Sequence, residues 1–234
     1  MTTPPLAAPA GGKRPRVGLV SSRHRLCAAA GRPLDDAPAL LAAQVEAARD
    51  CGVEFFQVRE PDLAAARLVR LVRDLAAVAG RELRIAVNDR ADLAAAARAD
   101  LHLKSGSMRV SRLRPWLSAS TWVSRAVHDV AEAESAGDVA VLIAGTVQDT
   151  ASKAAGTPRL GFDGLARITA ATTRPVFAIG GLTAADWPQI AAAGAVGIAA
   201  IGWMLPRPGE DPAAAVARAM ADVRAVVDGR AVVS

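Results

Sequence analysis

Short apolar runs recur along the chain, each followed by a stretch with helical spacing, and this alternation restricts the possible folds more than any single motif. The runs are Val17–Val20, Val53–Val58, Leu83–Val87, Leu101–Leu103, Thr121–Ser124, Val139–Ala144, Val176–Ile179 and Val196–Ile201. Several are apolar almost without interruption, the pattern of parallel strands buried on both faces. The intervening stretches carry apolar residues on one side only. In residues 62–78, Leu63, Ala66, Leu68, Leu71, Val72 and Leu75 share a face, while Arg67, Arg70, Arg73 and Asp74 face water. Eight such β-then-α units in one chain of 234 residues predict a single (β/α)8 TIM barrel of the α/β class. An open doubly wound sheet is the weaker expectation. No G-x-G-x-x-G turn follows the first run, which leads instead into Ser21–Ser22–Arg23–His24.

Punctuation between the units agrees with that reading. Asp36 and Pro38 open the first predicted helix, Thr183 and Asp186 have capping-box spacing, and Asp211 precedes a Pro212 suited to the first helical position. Residues 1–16 are rich in Pro, Ala and Gly and read as a flexible tail, leaving residues 17–230 for the barrel. The tail contains no continuous apolar segment, so it is not read as a signal peptide. The longest apolar run, Ile190–Leu205, is too short and too interrupted by glycine to span a bilayer. Cys27 and Cys51 have neither metal-ligand nor disulfide-framework spacing, which fits a reducing compartment, and a cytoplasmic location is expected.

Charge and aromatic content exclude some partners. Lysine and arginine exceed the acids by 28 − 23 = 5, with the excess dispersed rather than gathered into a stripe. Aromatics are 3% of the chain and tyrosine is absent, which leaves little to stack nucleobases on. The expected partner is therefore a small anionic molecule, with no nucleic acid and no membrane; a homo-oligomer is left open. Any flat ligand would have to lie on Trp203, Phe177, the Phe55–Phe56 pair or aliphatic walls.

Active sites of such barrels form where strands end. Here the ends bring Gln57, Arg59 and Glu60, then Asn88 and Asp89, then Lys104–Ser105–Gly106–Ser107, then Arg125 to His128. After the sixth run come Thr150, Ser152 and Lys153 in a loop long enough to act as a lid. Gly180 and Gly181 follow the seventh run and Gly202 the eighth, where bare backbone N–H groups can approach a phosphate. Arg59 is suited to a bidentate grip on phosphate or carboxylate, unless Glu60 or Asp89 occupies it. His102 alternates with Leu101 and Leu103 and is expected inside the barrel; His24 is unassigned. Arg59, Arg90, Lys104, Arg125 and Lys153 together would form a cationic funnel at this rim.

These segments resemble the thiamine phosphate synthase and thiazole tautomerase (TenI) family over nearly the whole barrel. The resemblance is carried by Phe55–Phe56–Gln57–Val58–Arg59–Glu60, by Val87–Asn88–Asp89–Arg90–Ala91–Asp92–Leu93, and by Leu101–His102–Leu103. It continues in Gly145–Thr146–Val147 with Thr150–Ala151–Ser152–Lys153, in Leu160–Gly161–Phe162–Asp163–Gly164–Leu165, and in Ala178–Ile179–Gly180–Gly181–Leu182. For the synthases it implies coupling of hydroxymethylpyrimidine pyrophosphate to thiazole phosphate with Mg2+, Asp89 then being a metal ligand. Three synthase positions differ: a lysine is replaced by Pro61, an acid by Ser107 and a serine by Ala126. Ser105–Gly106–Ser107 and Arg125–Ala126–Val127–His128 are more similar to the tautomerase branch.

The main expectation is therefore a thiazole tautomerase, an isomerase of thiamine biosynthesis needing no cofactor. The resemblance implies His128 as the acid/base that moves protons on a carboxythiazole phosphate. Gln57, Arg59, Asn88, Lys104, Thr150, Ser152 and Lys153 are expected to bind substrate, and Gly180, Gly181 and Gly202 its phosphate. The alternatives are the Mg2+-dependent synthase, a transferase, and a non-catalytic barrel that binds thiazole or thiamine phosphate and regulates other proteins.

Overall fold

A computed structural model describes residues 14–150 and 158–230. Eight parallel strands close on themselves in sequence order: β1 (Arg16–Val20), β2 (Phe55–Val58), β3 (Arg84–Asn88), β4 (Asp100–Leu103), β5 (Val123–Val127), β6 (Val141–Gly145), β7 (Val176–Ile179) and β8 (Gly197–Ala200). The last strand returns to the first, with Val17 opposite Ile198 and Leu19 opposite Ala200. The expected TIM barrel is thus the observed fold. Its first strand begins at Arg16, inside the expected tail, and residues 1–13 of that tail lie outside the described residues.

Helices surround the barrel: α1 (Arg23–Ala29), α2 (Ala37–Cys51), α3 (Ala65–Ala79), α4 (Ala91–Ala97), α5 (Val110–Leu113), α6 (Val130–Glu134), α7 (Gly161–Ala170), α8 (Trp187–Ala192) and α9 (Pro212–Val227). Helix α3 buries Leu68, Leu71, Val72 and Leu75 as its spacing predicts. The punctuation is also borne out. Asp211 accepts from the Ala214 N–H at 2.8 Å, Pro212 starts α9, and Thr183 and Asp186 form a capping box. Helix α1 departs from expectation, since Ser21 to His24 were read as loop. Its Leu26 and Cys27 are buried, but seven residues are too few to show a helical period. No helix among the described residues is long and apolar enough to cross a membrane.

The barrel interior shows how so few aromatics fill a core. Phe55, Trp122 and Phe177 plug the end at which the strands begin, with ring centroids 5.5 Å apart for Phe55–Trp122 and 5.3 Å for Phe55–Phe177. Each phenylalanine has a glycine as its strand partner, Gly18 for Phe55 and Gly197 for Phe177. A Cβ on Gly18 would overlap the Phe55 ring, and one on Gly197 would overlap both Phe177 and the Arg16 carbonyl. Replacing Gly18 by alanine overpacks this plug, and Gly18→Ala is expected to lose about 1–3 kcal/mol of stability by urea denaturation. Adding Phe55→Leu, which frees ring volume, should recover part of that loss; an unchanged or increased loss would show that the plug does not set the constraint.

Candidate active site at the strand ends

The opposite end of the barrel opens into a cavity of about 1000 Å3. Gln57, Arg59, Asn88, Lys104, His128, Thr150, Gly180, Gly181 and Gly202 all line it, so strand ends distant in sequence do converge. Ser152 and Lys153, also expected there, lie outside the described residues. Of the aromatic walls expected, only Trp203 lines the cavity among the described residues. Phe55, Phe56 and Phe177 are fully buried in the core and unavailable to a ligand.

The inner wall is polar and tightly fixed. Gln57 is buried and donates through Nε2 to Asn88 Oδ1 at 3.0 Å, tying β2 to β3. His102 is inside the barrel as expected, with Nδ1 2.9 Å from Ser124 Oγ. Burial pushes its pKa down to about 4, so at neutral pH it is an uncharged hydrogen-bonding group. Because the unfolded chain protonates this imidazole near 6.5 and the folded chain only near 4, folding stability should fall as pH drops through that interval. A urea series in wild type and His102→Gln checks this: the variant should lack the part of the slope between those limits, and an identical slope would exclude His102 as its source.

His128 sits one residue beyond β5 with its side chain about half exposed. Glu132 holds it twice, accepting from the His128 backbone N–H at 2.7 Å and lying 2.9 Å from Nδ1. When the ring is neutral and Nδ1 carries the proton toward that carboxylate, Nε2 is left as an acceptor. Asp129 meanwhile caps α6, so the segment also starts a helix.

The glycine turns are dictated first by the backbone. Gly180 and Gly181 have φ of +107° and +69°, and a Cβ on Gly181 would overlap the Asp149 carbonyl. The segment after them differs from the expected helix start. It is a short 3-10 turn whose Thr183 N–H is already donated to Asp186 Oδ2 at 2.8 Å, leaving that amide unavailable to a ligand. Gly202 lines the site from the turn after β8, and a Cβ there would lie 3.1 Å from Arg25 Nη2. Arg25 is a lining residue that the sequence reading missed. It lies on α1, just past the end of β1, and the rim logic applied to the other strands would have found it had α1 been recognised.

The expected cationic funnel is only partly formed. Arg59 and Lys104 line the cavity, but Arg90 is paired with Asp92 at 2.6 Å and does not line it. The Arg59 backbone N–H donates to Ser21 Oγ at 2.9 Å, but its guanidinium makes no hydrogen bond or salt bridge with a described residue, its supposed partners being engaged elsewhere. Glu60 is buried on Ser21 and Arg23, and Asp89 is held by Lys104 and Ser107. Arg125 is buried and donates to the carbonyls of Lys104, Ser105, Ser107 and Met108 at 2.7–3.3 Å. It shapes the loop after β4 rather than meeting a ligand. A lysine cannot reproduce four donations from a planar fork. Arg125→Lys should therefore cost about 1.5–3 kcal/mol and speed amide exchange across residues 104–108; unchanged exchange there would refute this scaffolding role.

A closed barrel with a polar, cation-bearing cavity at its strand ends defines the class: a TIM-barrel protein whose cavity lies where the active sites of such barrels form. The comparisons make the class specific. Residues 30–203 match the family model described as thiamine monophosphate synthase, and the chain belongs to that family. It is 36% identical over 184 residues to a thiamine-phosphate synthase of Streptomyces avermitilis, covering 76% of this chain and 83% of that protein. A thiamine-phosphate synthase of Haloquadratum walsbyi is 35% identical over 187 residues, with coverages of 76% and 82%. Among solved structures, thiamine phosphate pyrophosphorylase from Pyrococcus furiosus superposes with a TM-score of 0.72 at 22% identity, covering 92% of this chain and 96% of that one, and supports the fold. The expectation of an isomerase, a thiazole tautomerase, is overturned by these relatives, whose names are those of a transferase. Segments of the β4 and β5 loops had outweighed the rest of the chain in that expectation.

Proposed function

We propose that this protein is a thiamine phosphate synthase, joining a hydroxymethylpyrimidine pyrophosphate to a thiazole phosphate. The observation that carries this reading is similarity over 76% of the chain to proteins of that name. A cavity lined by Arg25, Arg59, Lys104 and the Gly180, Gly181 and Gly202 turns supports it. The reaction exchanges a carbon–oxygen bond to pyrophosphate for a carbon–nitrogen bond to the thiazole, so the protein must hold two phosphorylated partners and stabilise a highly charged leaving group. Gly180, Gly181 and Gly202, with Arg25 beside the last, would take the thiazole phosphate. Arg59, after β2, and Lys104, after β4, would take the pyrophosphate. Gln57, Asn88 and Thr150 would orient the rings; Ser152 and Lys153, expected from the sequence to bind substrate, lie outside the described residues. His128, with Nδ1 on Glu132, would present Nε2 to the substrate as a hydrogen-bonding group; no proton shuttle is required by this coupling.

The family resemblance also brings Mg2+, with Asp89 as a ligand. The residues here are a poor fit to that ion. Both Asp89 oxygens are engaged, Oδ2 by Lys104 Nζ at 2.7 Å and Oδ1 by the Ser107 hydroxyl, and the position of a second acid is Ser107. Among the described residues no three His, Cys, Asp or Glu side chains group to hold a metal. No step is therefore assigned to a metal.

Incubation of the purified protein with both substrates, followed by chromatography for thiamine phosphate and released pyrophosphate, tests the reading. Equimolar appearance of the two products is expected, and Arg59→Met should lower kcat/KM by roughly tenfold to a hundredfold, as loss of a charged hydrogen-bonding partner does. Absence of coupled product from wild type, with or without added Mg2+, would refute it.

A further inference from the structure

The ion pair at the end of β3 carries one inference further. Asp89 sits in the left-handed region, at φ +58°, and its N–H donates to the His102 carbonyl at 2.7 Å. The carboxylate is thereby aimed at the loop after β4, where Lys104 and Ser107 engage it. Arg125 fixes the backbone of that same loop through four carbonyls, so the site of the ammonium is built rather than incidental. Asp89 and Asp149 are the only acids among the described lining residues, and Asp149 is paired with Arg159. A hard divalent cation wants several oxygen ligands, carboxylates foremost, and would meet the Lys104 charge at once. An anion arriving there would meet the Lys104 ammonium with the Arg59 guanidinium as a second lining cation.

We propose that the Lys104 ammonium takes the place of a divalent cation at Asp89, so that the protein binds a diphosphate group through Lys104 and Arg59 without metal. The identity of the diphosphate as a leaving group rests on the coupling reading above; the ammonium's role in binding it does not. Asp89 orients the ammonium, and Ser107 neutralises no charge, so the loop retains the cation that a second acid would cancel.

Inorganic pyrophosphate is the probe, titrated calorimetrically into the full chain in EDTA and in Mg2+. Wild type should bind equally in the two buffers, within about threefold, and Lys104→Ala should weaken binding in EDTA by at least about tenfold. Mn2+ binding, followed by electron paramagnetic resonance, should be weaker than about 1 mM for wild type. A variant combining Lys104→Gly with Ser107→Asp should bind Mn2+ at least about tenfold more tightly and make pyrophosphate binding metal-dependent. Wild-type binding that needs Mg2+, undetectable wild-type binding, or an unaffected Lys104→Ala overturns the proposal. Coupling activity is measured in both buffers alongside. Activity confined to Mg2+ sinks this inference and leaves the synthase reading standing. Metal-free pyrophosphate binding that depends on Lys104, without coupling in either buffer, does the reverse.

Discussion

The fit of phenylalanine over glycine across two neighbouring strand pairs sets the geometry on which everything else depends. Phe55 lies opposite Gly18 and Phe177 opposite Gly197, and Gly18 and Gly197 lie on the strands that close the ring. With two of its large rings admitted only where a neighbouring strand lacks a Cβ, the plug favours one register for β1 and β8; a slip would set a side chain where only glycine fits. Arg16 and Arg84 stack over Phe177 and Trp122 at this same end, so charge and aromatic surface close the bottom together. A barrel closed and filled at one end has its strand ends free at the other. The cavity follows from that asymmetry and needs no insertion.

Much of this was legible because buried parallel strands leave an apolar trace that few other elements leave. Val176–Ile179 coincides with β7 residue for residue, and most other strands are displaced by one or two. β5 shows why the trace fails where it does. Apolar character suggested Thr121–Ser124, whereas the strand is Val123–Val127, because its middle holds buried Ser124 and Arg125. Both are satisfied by partners distant in sequence, Ser124 by His102 and Arg125 by the carbonyls after β4. Polar groups satisfied by tertiary bonds look like loop when only their neighbours in sequence are visible.

The same limit explains the misreading of the rim. Strand ends could be placed from the runs alone, which is why the cavity gathers the residues expected of it. Which cations were free could not be read, since that depends on partners brought in by folding. Arg125, counted into the cationic funnel, is spent on backbone, while Arg25 stands beside Gly202 on a helix too short to announce itself. An inventory of charge along the chain is therefore a poor guide to the field within a cleft.

That distinction also bears on why three substitutions tipped the sequence reading toward an isomerase. Pro61, Ser107 and Ala126 each remove a polar or charged group relative to the synthase pattern, and counted singly they look like loss of function. In the folded barrel the losses are not independent. Ser107 bonds to the very carboxylate that Lys104 pairs with, so the missing acid and the lysine meet at one point. Lacking a second acid and carrying a lysine beside Asp89 both bias the local charge in the same direction, toward holding an anion. Pro61 withdraws a cation from the neighbouring β2 end, only two residues beyond the cavity-lining Arg59. On the proposed reading the anion-binding charge lies two strands further around the rim, at the β4 end rather than the β2 end, which a position-by-position comparison scores as absence.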